Sequence, residues 1–265
     1  MLKSLSLEGS RALVTGSGSG IGRQIAQGFA EAGAALILVG RREEALQRTA
    51  EILKKYSDLT PTIIAADITT TSGLEKIANE AGQVDVLCNN AGASDYGPWQ
   101  SISIEKWRNT FAVNVEAPFR LCQIFAPLMM ERKYGRIINI GSVYGVMGGN
   151  PALYPGMDWD IAPYFASKHA VHGITHYLAP RLAMFGTTIN TLSPGGFAGS
   201  ANPDGMFGIY KFVTCSNNPM TITNGYACGN ITEEMHDMGA KMLAIAIEIK
   251  IASTASQLFG FTKYV

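Results

Sequence analysis

Between Ala12 and Ala32 the chain passes from an apolar run through a glycine-rich turn into an amphipathic stretch, an order that few folds accept. Ala12-Leu13-Val14-Thr15 reads as a buried strand, Gly16-Ser17-Gly18-Ser19-Gly20-Ile21-Gly22 as the turn, and Gln24 to Ala32 as a helix. Glycine lacks Cβ, so it permits the tight turn and a close backbone approach to an anion, while the helix N-terminus favours a pyrophosphate electrostatically. The spacing is not a clean Gly-x-Gly-x-x-Gly, because Ile21 stands where the third glycine would fall counted from Gly16. It does fit Thr-Gly-x-x-x-Gly-x-Gly from Thr15 through Gly22. Gly16, Ser17, Ser19, Gly20, Ile21 and Gly22 are therefore candidate dinucleotide contacts; a flexible linker would lack the flanking strand and periodic helix.

The same alternation continues downstream. Apolar runs at Ala35 to Val39, Pro61 to Ala66, Val84 to Cys88 and Arg136 to Ile140 alternate with helical patterns at Glu43 to Tyr56, Ser72 to Ala81 and Ile104 to Met130. Pro118 and Pro127 are expected to kink the last of these helices. Strand and helix at this spacing predict an α/β fold: one Rossmann-type doubly wound parallel sheet, helices on both faces, over the single domain 1–265. Ligands bind beyond the carboxyl ends of such strands, where Asp67, Ile68 and Asn90 fall. At the end of the second strand an acid would bind a ribose 2′-hydroxyl and an arginine a 2′-phosphate. Gly40 stands in the acid's place and Arg41-Arg42 follow, which favours NADP and leaves NAD as the alternative. The two arginines also suit the solvated start of the next helix.

Composition narrows the partners. With 21 basic and 21 acidic residues the formal charge is zero, and no basic run points to nucleic acid or an anionic membrane. Cys88, Cys122, Cys215 and Cys228 are far apart without Cys-x-x-Cys spacing, which speaks against a zinc site and a disulfide framework. No signal-peptide core and no uncharged run of about 18 apolar residues are evident, so a cytoplasmic protein acting on a small molecule is expected.

Tyr164 and Lys168 are four residues apart, and on a helix that spacing stacks a phenol and an ammonium on one face. A phenol titrates at about 10, and an adjacent cation lowers that value toward use as an acid or base. The pattern is short, and a plain surface pair has it too.

Thr15 to Gly22, Asn89 to Gly92, Asn114, Ser142, Tyr164 with Lys168, and Ser193-Pro194-Gly195 occur together in order, and with them the chain resembles the short-chain dehydrogenase/reductase family from about Leu5 to about Gly205. The resemblance implies that Ser142 polarises a substrate carbonyl, Tyr164 passes a proton, Lys168 lowers the tyrosine pKa and grips the nicotinamide ribose, and Asn114 anchors a water in the relay. Pro194 and Gly195 would close over the nicotinamide, while Asp67, Asn90, Ala91 and Gly92 would border the adenosine half. A homodimer or homotetramer follows from the same resemblance. Non-catalytic members commonly lose the tyrosine or the lysine, and both are here; a dinucleotide-binding regulator remains the alternative class.

Three regions depart from the family pattern. Asn150 to Asp160 is an insertion in which Asp158 and Asp160 could accept hydrogen bonds from a polar substrate beside Tyr154 and Trp159, or simply cover the surface. His169, His172 and His176 fall on one helical stripe without an acidic or cysteine partner, so an interface role is expected rather than a metal, and Pro180 should kink that helix. Past Gly205 the lid region diverges, and Ile245 to Ile251 is read as a helix on family grounds. Polar substrates such as sugar acids, polyols or activated sugars are the leading expectation, with a 3-oxoacyl-thioester or steroid ketone as alternative.

Overall fold

The computed structural model describes residues 6–148 and 160–194, together with the backbone of residues 209–215 and 222–228. Gly195, most of the 150–160 insertion and the Ile245 to Ile251 segment lie outside the described residues. Strands β1 (Arg11–Thr15), β2 (Ala35–Gly40), β3 (Thr62–Ala65), β4 (Val86–Asn89), β5 (Gly135–Ile140) and β6 (Thr187–Ser193) pair in parallel, in the spatial order β3-β2-β1-β4-β5-β6. The chain moves outward from β1 to β3, then returns to the other side of β1 with β4. That reversal opens a crevice between the carboxyl ends of β1 and β4.

Helices α1 (Gly20–Glu31), α2 (Glu43–Leu53), α3 (Thr71–Ala81), α4 (Ile104–Phe111), α5 (Ala117–Glu131) and α6 (Ala162–Ala183) make the crossovers. They cover both faces because the strands are apolar on both: Leu13 and Val14 of β1 are each fully buried, yet Val14 packs with Ile25 and Phe29 of α1 while Leu13 packs with Leu121 and Phe125 of α5.

The long helical pattern from Ile104 breaks in the middle. Ala112–Glu116 forms a π-helical turn between α4 and α5, with Asn114 buried inside it. Pro118 has no N–H to give the Asn114 carbonyl, so the i−4 bond is lost there and the ladder widens just upstream of the proline. The irregularity thus sits at Asn114 rather than at the prolines, and α5 continues through Pro127. Likewise α6 continues through Pro180 to Ala183.

Where the resemblance implies helices over the substrate, β7 (Ile209–Cys215) and β8 (Ile222–Cys228) instead form an antiparallel hairpin on the open edge of β6. Thr191, Leu192 and Ser193 pair with Val213, Phe212 and Lys211, so the sheet reaches eight strands.

Candidate active site

At the end of β1 the turn takes left-handed backbone at Gly16 (φ +67°) and Gly20 (φ +53°), conformations that L side chains rarely adopt. A Cβ on Gly16 would lie 2.9 Å from the Ala91 Cα, and one on Gly22 would collide with the Gly16 carbonyl oxygen and Asn90 Nδ2. The glycines are therefore needed because β4's end lies against the turn. Asn90 Nδ2 donates to the Thr15 carbonyl at 2.8 Å, and the Thr15 hydroxyl oxygen accepts from the Asn90 and Ala91 N–H groups at 3.0 Å each. From the other side Arg23 donates to the Gly18 carbonyl at 2.6 Å, and the buried Thr49 hydroxyl donates to the Ser17 carbonyl at 3.0 Å. Neither Arg23 nor Thr49 belongs to a sequence motif; only the packing of α1 on α2 brings them to the turn.

This turn forms one end of a cavity of about 720 Å³. Gly16, Ser19, Gly20, Ile21, Gly22, Arg41, Arg42, Asp67, Ile68, Asn90, Ala91 and Gly92 line it, and Ser142, Tyr164, Lys168 and Pro194 close its far end. Ser17 does not line it. Its side chain is fully buried and donates to the Val39 carbonyl at 3.4 Å, because the residue after a strand end alternates back toward the sheet. The Ser17 side chain thus supports the turn from within. Ser19 precedes α1 without a side-chain capping bond, which leaves the first N–H groups of the helix directed at the cavity.

The Asp67 carboxylate accepts from the Thr69 N–H at 2.9 Å and its hydroxyl at 2.7 Å. Partial burial raises the Asp67 pKa, yet these two bonds and the nearby Arg41 charge outweigh burial and hold it below the ordinary carboxylate value. A charged Asp67 and the Arg41 charge therefore share this end of the cavity.

At the far end Ser142 opens a short 3₁₀ turn; its hydroxyl accepts from the Tyr144 N–H at 3.2 Å and stands near enough to the Tyr164 phenol to oppose the rise in its pKa. Lys168 is 4% exposed, donates to the Ile140 carbonyl at 2.7 Å, and holds its Nζ 5.5 Å from the centre of the Tyr164 ring. Asn114 Nδ2 donates to the Ala93 carbonyl at 2.8 Å and the Ser167 hydroxyl at 3.0 Å, while its Oδ1 accepts from the Ala93 N–H at 2.8 Å. Ser167 in turn donates to the Tyr164 carbonyl at 2.8 Å, so the π turn is locked to the tyrosine's own helix turn. Asn114 is buried behind Gly92 and does not line the cavity itself.

The proton affinities differ from the sequence expectation. Burial raises the Tyr164 pKa above its usual value of 10.0, the Ser142 hydrogen bond opposes the rise, and the neighbouring Tyr96 adds to it. The phenol is therefore a retained acid in this chain rather than one depressed by Lys168. Burial acts oppositely on the cation and lowers Lys168 from 10.5 to about 8.

A family model described as short chain dehydrogenase matches residues 10–204. The chain belongs to the short-chain dehydrogenase family. Among relatives it is 36% identical over 192 residues to galactitol 2-dehydrogenase (L-tagatose-forming) of Cereibacter sphaeroides, covering 71% of this chain and 72% of that one. It is 35% identical to the 3-oxoacyl-[acyl-carrier-protein] reductase of Escherichia coli, covering 72% of this chain and 75% of that one. A crystal structure of gluconate 5-dehydrogenase from Burkholderia cenocepacia, in complex with NADP and tartrate, superposes with a TM-score of 0.66 at 32% identity, over 76% of each chain. NAD(P) dependence is typical of the short-chain dehydrogenases, and this cavity fits such a dinucleotide: the uncapped helix end and side-chain-free glycines suit phosphate, and Asp67 with Arg41 marks the adenosine end.

Where this short-chain dehydrogenase departs from its family, the structure corrects the sequence reading. The inward stripe of α6 is Lys168, Val171, His172 and Thr175. His172 is buried, while His169 and His176 are exposed, so the three imidazoles do not share one environment. His172 accordingly serves the interior and not an interface. Among the described residues no group of His, Cys, Asp and Glu is arranged to hold a metal ion. Asp160 is committed as well: its carboxylate accepts from the Trp99 N–H at 2.7 Å and its carbonyl from the Gly97 N–H at 3.1 Å. That carboxylate clips the 97–99 loop to the start of α6 instead of presenting itself to substrate. Among the described residues no helix is long and apolar enough to cross a membrane.

Proposed function

We propose that the protein interconverts a secondary alcohol and a ketone by hydride transfer, prefers NADP(H), and acts on a polar substrate such as a polyol or sugar acid. The observation that carries this reading is the Tyr164 phenol, with Ser142 near enough to bear on its proton affinity and Lys168 behind it, at the opposite end of one cavity from the glycine turn. When bound, the nicotinamide supplies or takes the hydride at the carbonyl carbon. Ser142 holds the carbonyl oxygen beside Tyr164, whose O–H passes its proton to that oxygen in reduction and recovers it in oxidation. Lys168 stabilises the negative charge that develops on the phenol, and Asn114 fixes the backbone on which these groups stand. Gly16, Gly20, Gly22 and the α1 N-terminus hold the pyrophosphate, with Asn90 as their brace.

The polar-substrate reading draws support from the likeness to galactitol and gluconate dehydrogenases. A 3-oxoacyl-thioester is the second reading, favoured by the likeness to the E. coli reductase. Galactitol and gluconate offered with NADP, and a 3-oxobutanoyl thioester with NADPH, separate the two by absorbance at the reduced-nicotinamide band. Faster thioester reduction would replace the first reading with the second.

For the coenzyme, Arg41 lines the cavity beside Asp67, and Gly40 offers no acid to repel a 2′-phosphate. Arg41→Ala is expected to raise KM for NADP about 10- to 100-fold, the value of a charge-assisted contact, with less than about a two-fold change for NAD. Equal losses would overturn the preference.

The lowered Lys168 pKa sets a pH dependence. Lys168 carries its charge below about 8 and loses it above, while Tyr164, raised above 10.0, stays protonated through that window. The rate of carbonyl reduction should therefore fall as pH rises through about 8. A pH–kcat profile checks this, and a profile flat from pH 7 to 10 would contradict the role of the cation.

A further inference from the structure

We propose that His172 is a positioning residue: its buried imidazole ties α6, which carries Tyr164 and Lys168, to the strand-end seam that carries Ser142. The inference rests on the reading of those three residues as the catalytic set. His172 lies one turn beyond Lys168, and its Nε2 shares a hydrogen bond of 2.9 Å with the Ser193 hydroxyl. Ser193 is the last residue of β6 and is itself buried. On either side of it the backbone grips the Ser142 turn: the Gly141 N–H donates to the Leu192 carbonyl at 2.6 Å, and the Val143 N–H to the Pro194 carbonyl at 3.0 Å.

The fit between the pair and this turn is close on both flanks of Ser142. A Cβ on Gly141 would stand 2.7 Å from the Ser193 hydroxyl and 3.2 Å from His172 Nε2. A Cβ on Gly145 would stand 2.6 Å from the Lys168 carbonyl oxygen and 3.0 Å from His172 Cδ2. The turn thus rests directly on the imidazole, and glycine is required wherever it touches. Sheet ladders hold β5 to β6, and helical hydrogen bonds hold Tyr164 to Lys168. The bond from His172 to Ser193 crosses between these two units, as do those of Lys168 to the Ile140 carbonyl and of Thr175 to Thr191 and Asn139. Among the described residues the His172 bond alone joins α6 to the residue flanked by the two backbone bonds to the Ser142 turn, on whose height the contact of Ser142 with Tyr164 depends. A misplacement of about 1 Å in such a contact can cost about 100-fold in rate.

The test compares His172→Leu, His172→Gln, Ser193→Ala and the double variant His172→Leu/Ser193→Ala in the full chain, using the fastest substrate among galactitol, gluconate and the 3-oxobutanoyl thioester. His172→Leu keeps the volume and loses the hydrogen bond, whereas the glutamine amide nitrogen can take the place of Nε2. His172→Leu and Ser193→Ala should each lower kcat about 10- to 100-fold with KM within about two-fold, and the double variant should be no worse than the lower single. His172→Gln should keep at least about a third of wild-type kcat. Wild-type kcat in His172→Leu, an equal loss in His172→Gln, or losses that multiply in the double variant would each overturn the proposal. If His172→Leu does not fold, Ser193→Ala decides, and unchanged kcat in it counts against the pairing. A crystal structure of His172→Leu or Ser193→Ala in which Ser142 and Tyr164 keep their wild-type separation refutes the positioning role without any turnover. Failure of the catalytic reading itself shows separately, as full activity in Tyr164→Phe.

Discussion

Tyr164→Phe is expected to lower kcat about 1,000-fold, within the range that a positioned acid or base contributes, while NADPH binding stays within about two-fold of wild type. Phenylalanine preserves the ring and its packing beside Lys168, so the loss isolates the hydroxyl. That hydroxyl stands beside Ser142, and its pKa is held above 10.0 chiefly by burial. A group that binds its proton this firmly is available as a donor across the neutral range. Steady-state kinetics with a fluorescence titration of NADPH separates chemistry from binding, and a melting curve checks the fold. Turnover retained within about ten-fold would remove Tyr164 from the acid/base role.

Gly22→Ala should act on the other end of the cavity with comparable force. Its Cβ would collide with the Gly16 carbonyl oxygen and Asn90 Nδ2. Neither can retreat easily, because the first is backbone in a left-handed turn and the second is bound to the Thr15 carbonyl. The expected result is a destabilisation of about 1–3 kcal/mol, as for other overpacked sites, with a loss of dinucleotide affinity of about 100-fold as the turn is displaced. Gly173→Ala on α6 is the control: nothing lies within 4 Å of its Cβ, and alanine suits a helix interior. Equal NADPH affinity in Gly22→Ala and wild type, by fluorescence titration, would show that the turn is not the phosphate cradle.

The two ends of the cavity differ in how far the sequence foretold them. At the glycine turn the motif residues are local in sequence, and all but Thr15 and Ser17 line the cavity. A spacing rule names positions and not the direction of each side chain, so it did not foretell that the Ser17 hydroxyl turns inward. The braces Arg23 and Thr49 carried no signal, since their place at the turn comes from α1 lying on α2. At the far end Asn114, Ser142, Tyr164 and Lys168 lie close together, and burial, which no spacing reveals, holds the tyrosine pKa above its usual value. For Asp160 the sequence left substrate contact and surface cover both open, and in the fold its carboxylate bonds the Trp99 N–H. The hairpin of β7 and β8 had no counterpart in the family pattern beyond Gly205.

By itself the sequence determined whatever depends on neighbours along the chain. Alternating apolar runs and helical periods dictate a parallel sheet with its ligand edge at the strand ends, glycines dictate where the backbone can turn sharply, and a four-residue spacing places Tyr164 and Lys168 on one helix face. Tertiary structure alone decided what depends on distant neighbours: Ser17 facing inward, His172 meeting Ser193, Asp160 closing a loop, and burial raising the tyrosine while lowering the lysine. The reason is that desolvation and long-range hydrogen bonds belong to the surroundings of a side chain, and residues remote in the sequence supply those surroundings.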